Sequence, residues 1–467
     1  MKKIAILVFF TVGFFVHVWA CTGLIAGKQA TVDGSVLVTY SADSHTLYGA
    51  LTSSPAADWP KGSMRSIVEW DTNKPLGEIE QVEHTYAVIG NMNEHQLTVV
   101  ESTWGGRPEL VDTTGIIDYG SLMQLALERA KTAREAIKVM TGLVKKYGYY
   151  SSGESFTIAD PNEAWILDLI GKGPGRRGAV WVAVRIPDDC IAGHANYPRI
   201  HKIPMDDKEN CLYSPDVISF AREMGYFDGL NKDFSFARAY SPADFGALRA
   251  CDARVWSFFR KYDSTMDNYL PYVNGESAEP FPLYVKPSRK LSVQDMKEAM
   301  RDHFEDTPFD MTQDVGAGPF KVPYRFRPMS FEVDGKSYCM ERAIATQQTG
   351  FTLVGQMRNW LPDPVGGVLW FGVDDANTCV YIPMYCGITQ VPECFSPENG
   401  SMYDFSWTSA FWIHNWVANM AYARYEPMIG DIRKVQSAVE TSLNLRQPAV
   451  DKAAVESVSY THLRAHE

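Results

Sequence analysis

An α+β fold is the class this sequence predicts. Three observations point to it: short β-rich runs open the chain after residue 21, helical stretches follow together over 122–144, and strands resume as a group over 155–193 instead of alternating singly with helices. A hydrophobic content of 45% in 467 residues gives enough apolar surface for one large core or two smaller ones.

The elements follow in order. Thr22 to Ala26 and Val36 to Tyr40 are β-rich, with Asp33 and Gly34 marking a hairpin turn between them. Thr85 to Ile89 and Leu97 to Val100 are further strands. Leu122, Leu125 and Ala126, then Ala133, Ala136, Ile137, Met140 and Val144, recur at the spacing of three and four that marks one buried helix face. Strands return at Ser155 to Ala159, Ala164 to Leu169, Ala179 to Ile186 and Ile191 to Gly193, separated by Asp160-Pro161-Asn162 and the loop GKGPGRRG. Two sheets sharing a helical layer account for this order. Beyond Asn196, SPDVISFAREMGYF, SPADFGALRACDARVWSFFRKY and SVQDMKEAMRDHF each open with a serine followed by proline or an acidic residue, which starts helices. Strand-like pieces lie at Gly367 to Val373 and Cys379 to Pro383, and TSAFWIHNWVANMAYARYE and GDIRKVQSAVETSLN read as closing helices. The last residues, SVSYTHLRAHE, fit no pattern around them.

The N-terminus reads as an export signal. Lys2 and Lys3 precede an apolar run from Ile4 to Phe15, and Val18 and Ala20 are the small residues favoured before a signal-peptidase cut. That run is shorter than the ~20 apolar residues a membrane span needs, and no later run meets the requirement. A net charge of -12 excludes a nucleic-acid partner, which demands a basic footprint. Cys379, Cys386 and Cys394, three of the eight cysteines, lie close enough for one oxidised pair, and which pair is open. They lack the paired spacing and neighbouring histidines of a zinc site, so no metal is expected.

A cut after Ala20 makes Cys21 the first residue, with a thiol and a free α-amine on one residue. Their reference pKa values, about 8.5 and about 7.7 to 8.0, leave proton transfer between them nearly balanced. Such a cysteine is a nucleophile and base combined, provided something holds the ammonium and donors meet an oxyanion. The rival use of a cysteine at this boundary is lipidation, which blocks both groups and makes a lipid-anchored binding protein. Against it, Trp19 is bulky, and Thr22 to Gly27 reads at once as a strand where a lipidated cysteine is followed by a polar tether.

Cys21-Thr22, Gly27-Lys28, the DGS that follows and the acidic residue of YSADSH resemble the opening of the PepD-type cysteine dipeptidases. These are N-terminal-nucleophile hydrolases, distantly related to bile-salt hydrolases and penicillin V acylases. The resemblance continues through GNMNEHQLTVVEST, GESFTIADPNEAWILDLIGK, WVAVRIPDDCIAGHANYPRI and FTLVGQMRNWLPDPVGGVLWFGVDDANTCVYIPMY. It implies a four-layer αββα sandwich, no cofactor, and a dipeptide substrate. It also implies a domain over 21–456 after a signal peptide over 1–20: core strands about 21–200, helical insertions and later strands about 201–456, and an unassigned tail over 457–467.

The resemblance makes Cys21 the nucleophile and Asp43 the residue that orients it and its amine. Asn196, in HANYPRI, takes an oxyanion-hole or aligning role, Thr103 falls where the related acylases use another oxyanion-hole asparagine, and Arg254, in CDARVW, matches an arginine that steadies the cysteine. Each of the last four also has a plainer reading. Asp43 and Asn196 suit turns, Thr103 suits an ordinary strand position, and Arg254 suits a surface ion pair on a helix. One departure stands out: many dipeptidases have Ala-Arg-Asn where this chain has Thr39-Tyr40-Ser41, so the task of that arginine is dropped or done elsewhere. The reading that follows is a secreted or periplasmic dipeptidase working through a thioester, an amidase of N-acyl amino acids being the second enzymatic reading. A homo-oligomer is allowed and leaves no mark in the sequence.

Overall fold

The structure is a computed structural model, and it describes residues 21–325 and 330–464. The expected leader over 1–20 lies outside the described residues. The principal strands are β1 (Gly23–Ala26), β2 (Val36–Asp43), β3 (Thr98–Trp104), β4 (Gly153–Ala159), β5 (Ala164–Gly171), β6 (Ala179–Ile186), β7 (Ile191–His194), β8 (Thr349–Met357), β9 (Val368–Val373) and β10 (Ile382–Tyr385). The helices that matter for the site and its support are α1 (Tyr119–Arg129), α2 (Ala133–Tyr147), α3 (Ala253–Arg260), α4 (Val293–Ala299), α5 (Ala410–Ala423) and α6 (Tyr425–Arg464).

Two large antiparallel sheets make an α+β fold. One has seven strands, ordered from an edge strand Tyr284–Val285 through β7, β1, β2, β8 and β9 to β10. The other has eight, ordered Cys211–Tyr213, β6, β5, β4, β3, then the short strands Met92–Asn93, Val88–Ile89 and Ser53–Ser54. Strand alternation explains how they pack, because successive side chains leave opposite faces. Val36, Val38 and Tyr40 of β2 share a core cluster with Val100 of β3, Ile166 of β5 and Val182 of β6, so the two sheets bury faces against each other. The other faces are covered by helices: Leu37, Val354 and Trp370 pack with Trp256 and Phe258 of α3, whereas Val99, Ile158 and Leu167 pack with Leu122 and Ile137 of α1 and α2. The expected helical layer shared between sheets is therefore replaced by direct sheet-on-sheet contact. α2 presents a single buried stripe, and the buried apolar residues of α1 and α2 pack with the eight-stranded sheet.

Most predicted elements recur within a residue or two, and their local signals do the expected work. Ser292 and Asp295 close a reciprocal capping box at the start of α4, and Thr132 and Asp118 cap α2 and α1 by accepting backbone N–H groups. The expected strand Thr85 to Ile89 breaks into His84–Thr85 and Val88–Ile89. Between them the Tyr86 N–H donates to the Glu128 carbonyl and the Ala87 N–H to the Glu94 carboxylate, leaving the ladder. Strand Cys379 to Pro383 shifts to Ile382–Tyr385. The closing helix does not end near Asn444 but runs through Pro448 to Arg464, held beyond the proline by Arg358 donating to Asp451. Cys379, Cys386 and Cys394 are each unpaired, so none of the three forms the expected bridge. Among the described residues no helix is long and apolar enough to cross a membrane.

Candidate active site

Cys21 stands immediately before β1, 4% exposed, where Thr22 already bridges to Ser41 of β2. No tether separates this cysteine from the fold. Its Sγ lies 3.7 Å from the Tyr40 hydroxyl, and it lines a cavity of about 300 Å³ together with Tyr40, Asp43, Asp71, Glu101 and Tyr119. Phe351, Phe371, Leu47, Met123 and Leu127 supply the apolar wall. Burial, then Glu101 and then Asp43, push the Cys21 thiol well above its ordinary pKa, so the sulfur is neutral at rest and reaction needs a base.

Asp43 ends β2 and is buried, not a turn residue in a polar loop. It accepts from Arg342 Nη2 at 2.7 Å, from Thr349 Oγ1 at 2.7 Å and from Ser41 Oγ at 3.2 Å. Arg254 is fully buried on α3 with neutral partners where a surface ion pair was the alternative. Its Nη1 donates to the Cys21 carbonyl at 2.8 Å and to Thr22 Oγ1 at 2.7 Å, and its Nη2 donates to Asn196 Oδ1 at 2.8 Å and to the Ala195 carbonyl at 3.2 Å. Asn196 has a left-handed backbone, φ 57°, which suits the turn reading; its amide also bridges Arg254 to the Thr103 carbonyl, to which Nδ2 donates at 2.6 Å. The Thr103 hydroxyl donates to Glu154 at 3.1 Å. Cys21, Asn196, Thr103 and Arg254 thus form one connected network, and Asp43 approaches from the neighbouring strand.

His194 underpins this network. Its ring lies between Ser102 Oγ, 2.7 Å from Nδ1, and Thr157 Oγ1, 2.8 Å from Nε2, and Ser102 Oγ also accepts the Asn196 N–H at 3.1 Å. Burial, then Arg254 and Arg199, hold the imidazole down to about 3, so it is neutral. Gly23 is required opposite it: an added Cβ would stand 2.9 Å from the ring.

Sequence reasoning passed over four cavity or near-cavity groups. Tyr40 was visible only as the departure from Ala-Arg-Asn. In the fold its hydroxyl faces the thiol and donates to Glu101. Glu101 and Asp71 carried no signal, because a carboxylate in a strand or a loop reads as solvated until its burial is known. Arg342 restores an arginine beside Asp43 from 299 residues further along the chain, beyond the reach of any local pattern.

Comparison with known proteins adds a family. Residues 20–438 match the model described as Peptidase family C69. The chain is 24% identical to a probable dipeptidase of Latilactobacillus sakei over 96% of this chain and 91% of the relative. It is 27% identical to a probable dipeptidase of Salmonella dublin over 79% and 81%, and 24% identical to dipeptidase A of Lactobacillus helveticus over 87% and 82%.

Proposed function

The chain belongs to peptidase family C69, and from that premise we propose that this cysteine-type hydrolase of peptide bonds is a secreted or periplasmic dipeptidase whose nucleophile is Cys21. The observation that carries the reading is Cys21 itself: buried at the head of β1, facing a cavity, with its carbonyl fixed by Arg254. The helix-covered sheets packed face to face support the four-layer αββα sandwich of the N-terminal-nucleophile hydrolases.

Removal of residues 1–20 frees the α-amine, which takes the thiol proton. The thiolate attacks the substrate carbonyl, and the Asn196 side-chain amide with backbone N–H groups meets the oxyanion. Thr103 acts through its carbonyl, holding Asn196, and Arg254 fixes both Asn196 and the Cys21 backbone. As the C–N bond breaks, the Cys21 ammonium returns its proton to the departing amino acid, leaving a thioester. Water, deprotonated by the same amine, hydrolyses the thioester and regenerates the thiol. Asp43, held by Arg342 and Thr349, fixes the strand end beside the thiol.

Mass spectrometry of the mature protein should find Cys21 as the unmodified first residue, and a diacylglyceryl-cysteine there would overturn the assignment. Dipeptide hydrolysis should vanish in Cys21→Ala and fall by at least about 1,000-fold in Cys21→Ser, since the hydroxyl is a poorer nucleophile in the same place. Undiminished turnover by the alanine variant refutes the mechanism.

A further inference from the structure

Next to Cys21 the cavity has an acidic end for which the catalytic scheme has no task. Glu101, 2% exposed, accepts the Tyr40 hydroxyl through Oε1 and shares a side-chain hydrogen bond with Glu154. Glu154 stands behind it, fully buried, accepting from Thr103 through Oε2. Burial first, and Glu101 second, raise the Glu154 carboxyl well above the usual range, so Glu154 keeps its proton. Asp71 lines the same cavity at its solvent-facing rim and accepts the Tyr119 hydroxyl at 2.8 Å. Among the described residues, neither lysine nor arginine forms an ion pair with any of these three carboxyls. A buried negative charge without a cation is costly. Set in the wall of a cavity beside a thiol, it suits a cation that arrives with the substrate.

Resting on the dipeptidase reading, we infer that Glu101, backed by Glu154 and Asp71, anchors the free α-ammonium of the substrate's first residue. The distances agree. In a dipeptide the amino nitrogen lies roughly 2.5 Å from the carbonyl carbon, and a thiol poised to attack lies roughly 3–3.5 Å from that carbon. The ammonium therefore falls within roughly 6 Å of Sγ. Glu101 is one hydroxyl removed from the sulfur, since Tyr40 stands 3.7 Å from Sγ and donates to Glu101. An N-acyl substrate brings a neutral amide and a carbonyl oxygen to the same carboxylate and meets repulsion. The acidic end thus selects unblocked peptides over N-acyl amino acids, a distinction the thiol chemistry does not make.

The test uses the mature enzyme with alanylalanine and N-acetylalanylalanine. Wild type should prefer the free dipeptide by at least about 100-fold in kcat/KM, and Glu101→Gln should lose roughly 100-fold on it with no loss on the acetylated form. Asp71→Asn, at the rim, should shift the same ratio in the same direction by a few-fold, and it carries the test if the Glu101 variant fails to fold by circular dichroism. Equal loss on both substrates in Glu101→Gln overturns the anchor, because Glu101 then serves Cys21 itself; so does a variant with wild-type selectivity. Wild type that cleaves only the acetylated substrate overturns the dipeptidase reading instead.

Discussion

His194 is a buried histidine whose work depends on staying neutral. Its ring reaches Ser102 and Thr157, and Ser102 fixes the Asn196 backbone, so a proton on the ring would disturb the network around Cys21. Folded, the imidazole is held down to about 3 by burial, Arg254 and Arg199. In the unfolded chain it titrates near its reference value of about 6.5. Between those values the unfolded state binds a proton that the folded state refuses, so stability contributed by this site is complete above pH ~6.5 and is lost as the pH falls toward ~3. The slope is up to about 1.4 kcal/mol per pH unit. Urea midpoints measured from pH 8 to pH 4 should fall steeply in the wild type and less steeply in His194→Gln. Parallel curves for the two proteins would show that His194 does not titrate in unfolding.

At the scale of the element, the pairing of β2 with β8 decides where Asp43 sits. The register runs from Val36 opposite Met357 to Asp43 opposite Thr349, with an irregularity between Thr349 and Phe351 that turns Thr349 toward the carboxylate. Thr349→Val keeps the shape but removes the donor to Asp43 Oδ1. It should cost about 1–3 kcal/mol in chemical denaturation and lower kcat more than it raises KM, while Thr349→Ser should restore most of both. Unchanged kcat in the valine variant would remove Asp43 positioning from the mechanism. β8 is also the strand that sequence reasoning did not mark. TGFTLVGQM has a glycine near each end, and one of its two neighbours in the sheet is β2, more than 300 residues earlier in the chain. Gly350 has no room for a side chain, because a Cβ there would stand 2.6 Å from the Leu47 side chain and 2.8 Å from the Leu47 carbonyl oxygen. By contrast, β5 and β6, dense in Val, Ile and Ala and bounded by turn residues, were legible because both faces are buried and their signal is local. The same divide separates the site residues: Cys21 is announced by its boundary and Asn196 by its motif, whereas Glu101 and Arg342 acquire meaning only from burial and from partners distant in sequence.

Over the whole molecule, the long C-terminal helix α6 is tied to the seven-stranded sheet by two buried charged contacts. Arg301, just beyond α4, donates through Nη2 to Glu440, whose Oε1 also accepts the Tyr381 N–H at 3.1 Å. Further along, Asp451 receives Arg358 and, at 2.7 Å, the Tyr385 hydroxyl of β10. The Arg301–Glu440 side chains are 2% and 1% exposed, so their mutual attraction is set against a desolvation cost of similar size. Removing Glu440 leaves the buried Arg301 guanidinium with the half-exposed Glu298 carboxylate in place of a buried counter-charge. Glu440→Gln should therefore destabilise the protein by about 3–5 kcal/mol, whereas Arg301→Met combined with Glu440→Leu should recover most of that loss, since an apolar pair of similar volume avoids both penalties. Thermal and urea unfolding of the two variants measure the difference. A single variant as stable as wild type would show that α6 is held by its apolar contacts alone, and a double variant as unstable as the single would show that the Tyr381 N–H and the neighbouring carbonyls need the charged pair for their own hydrogen bonds.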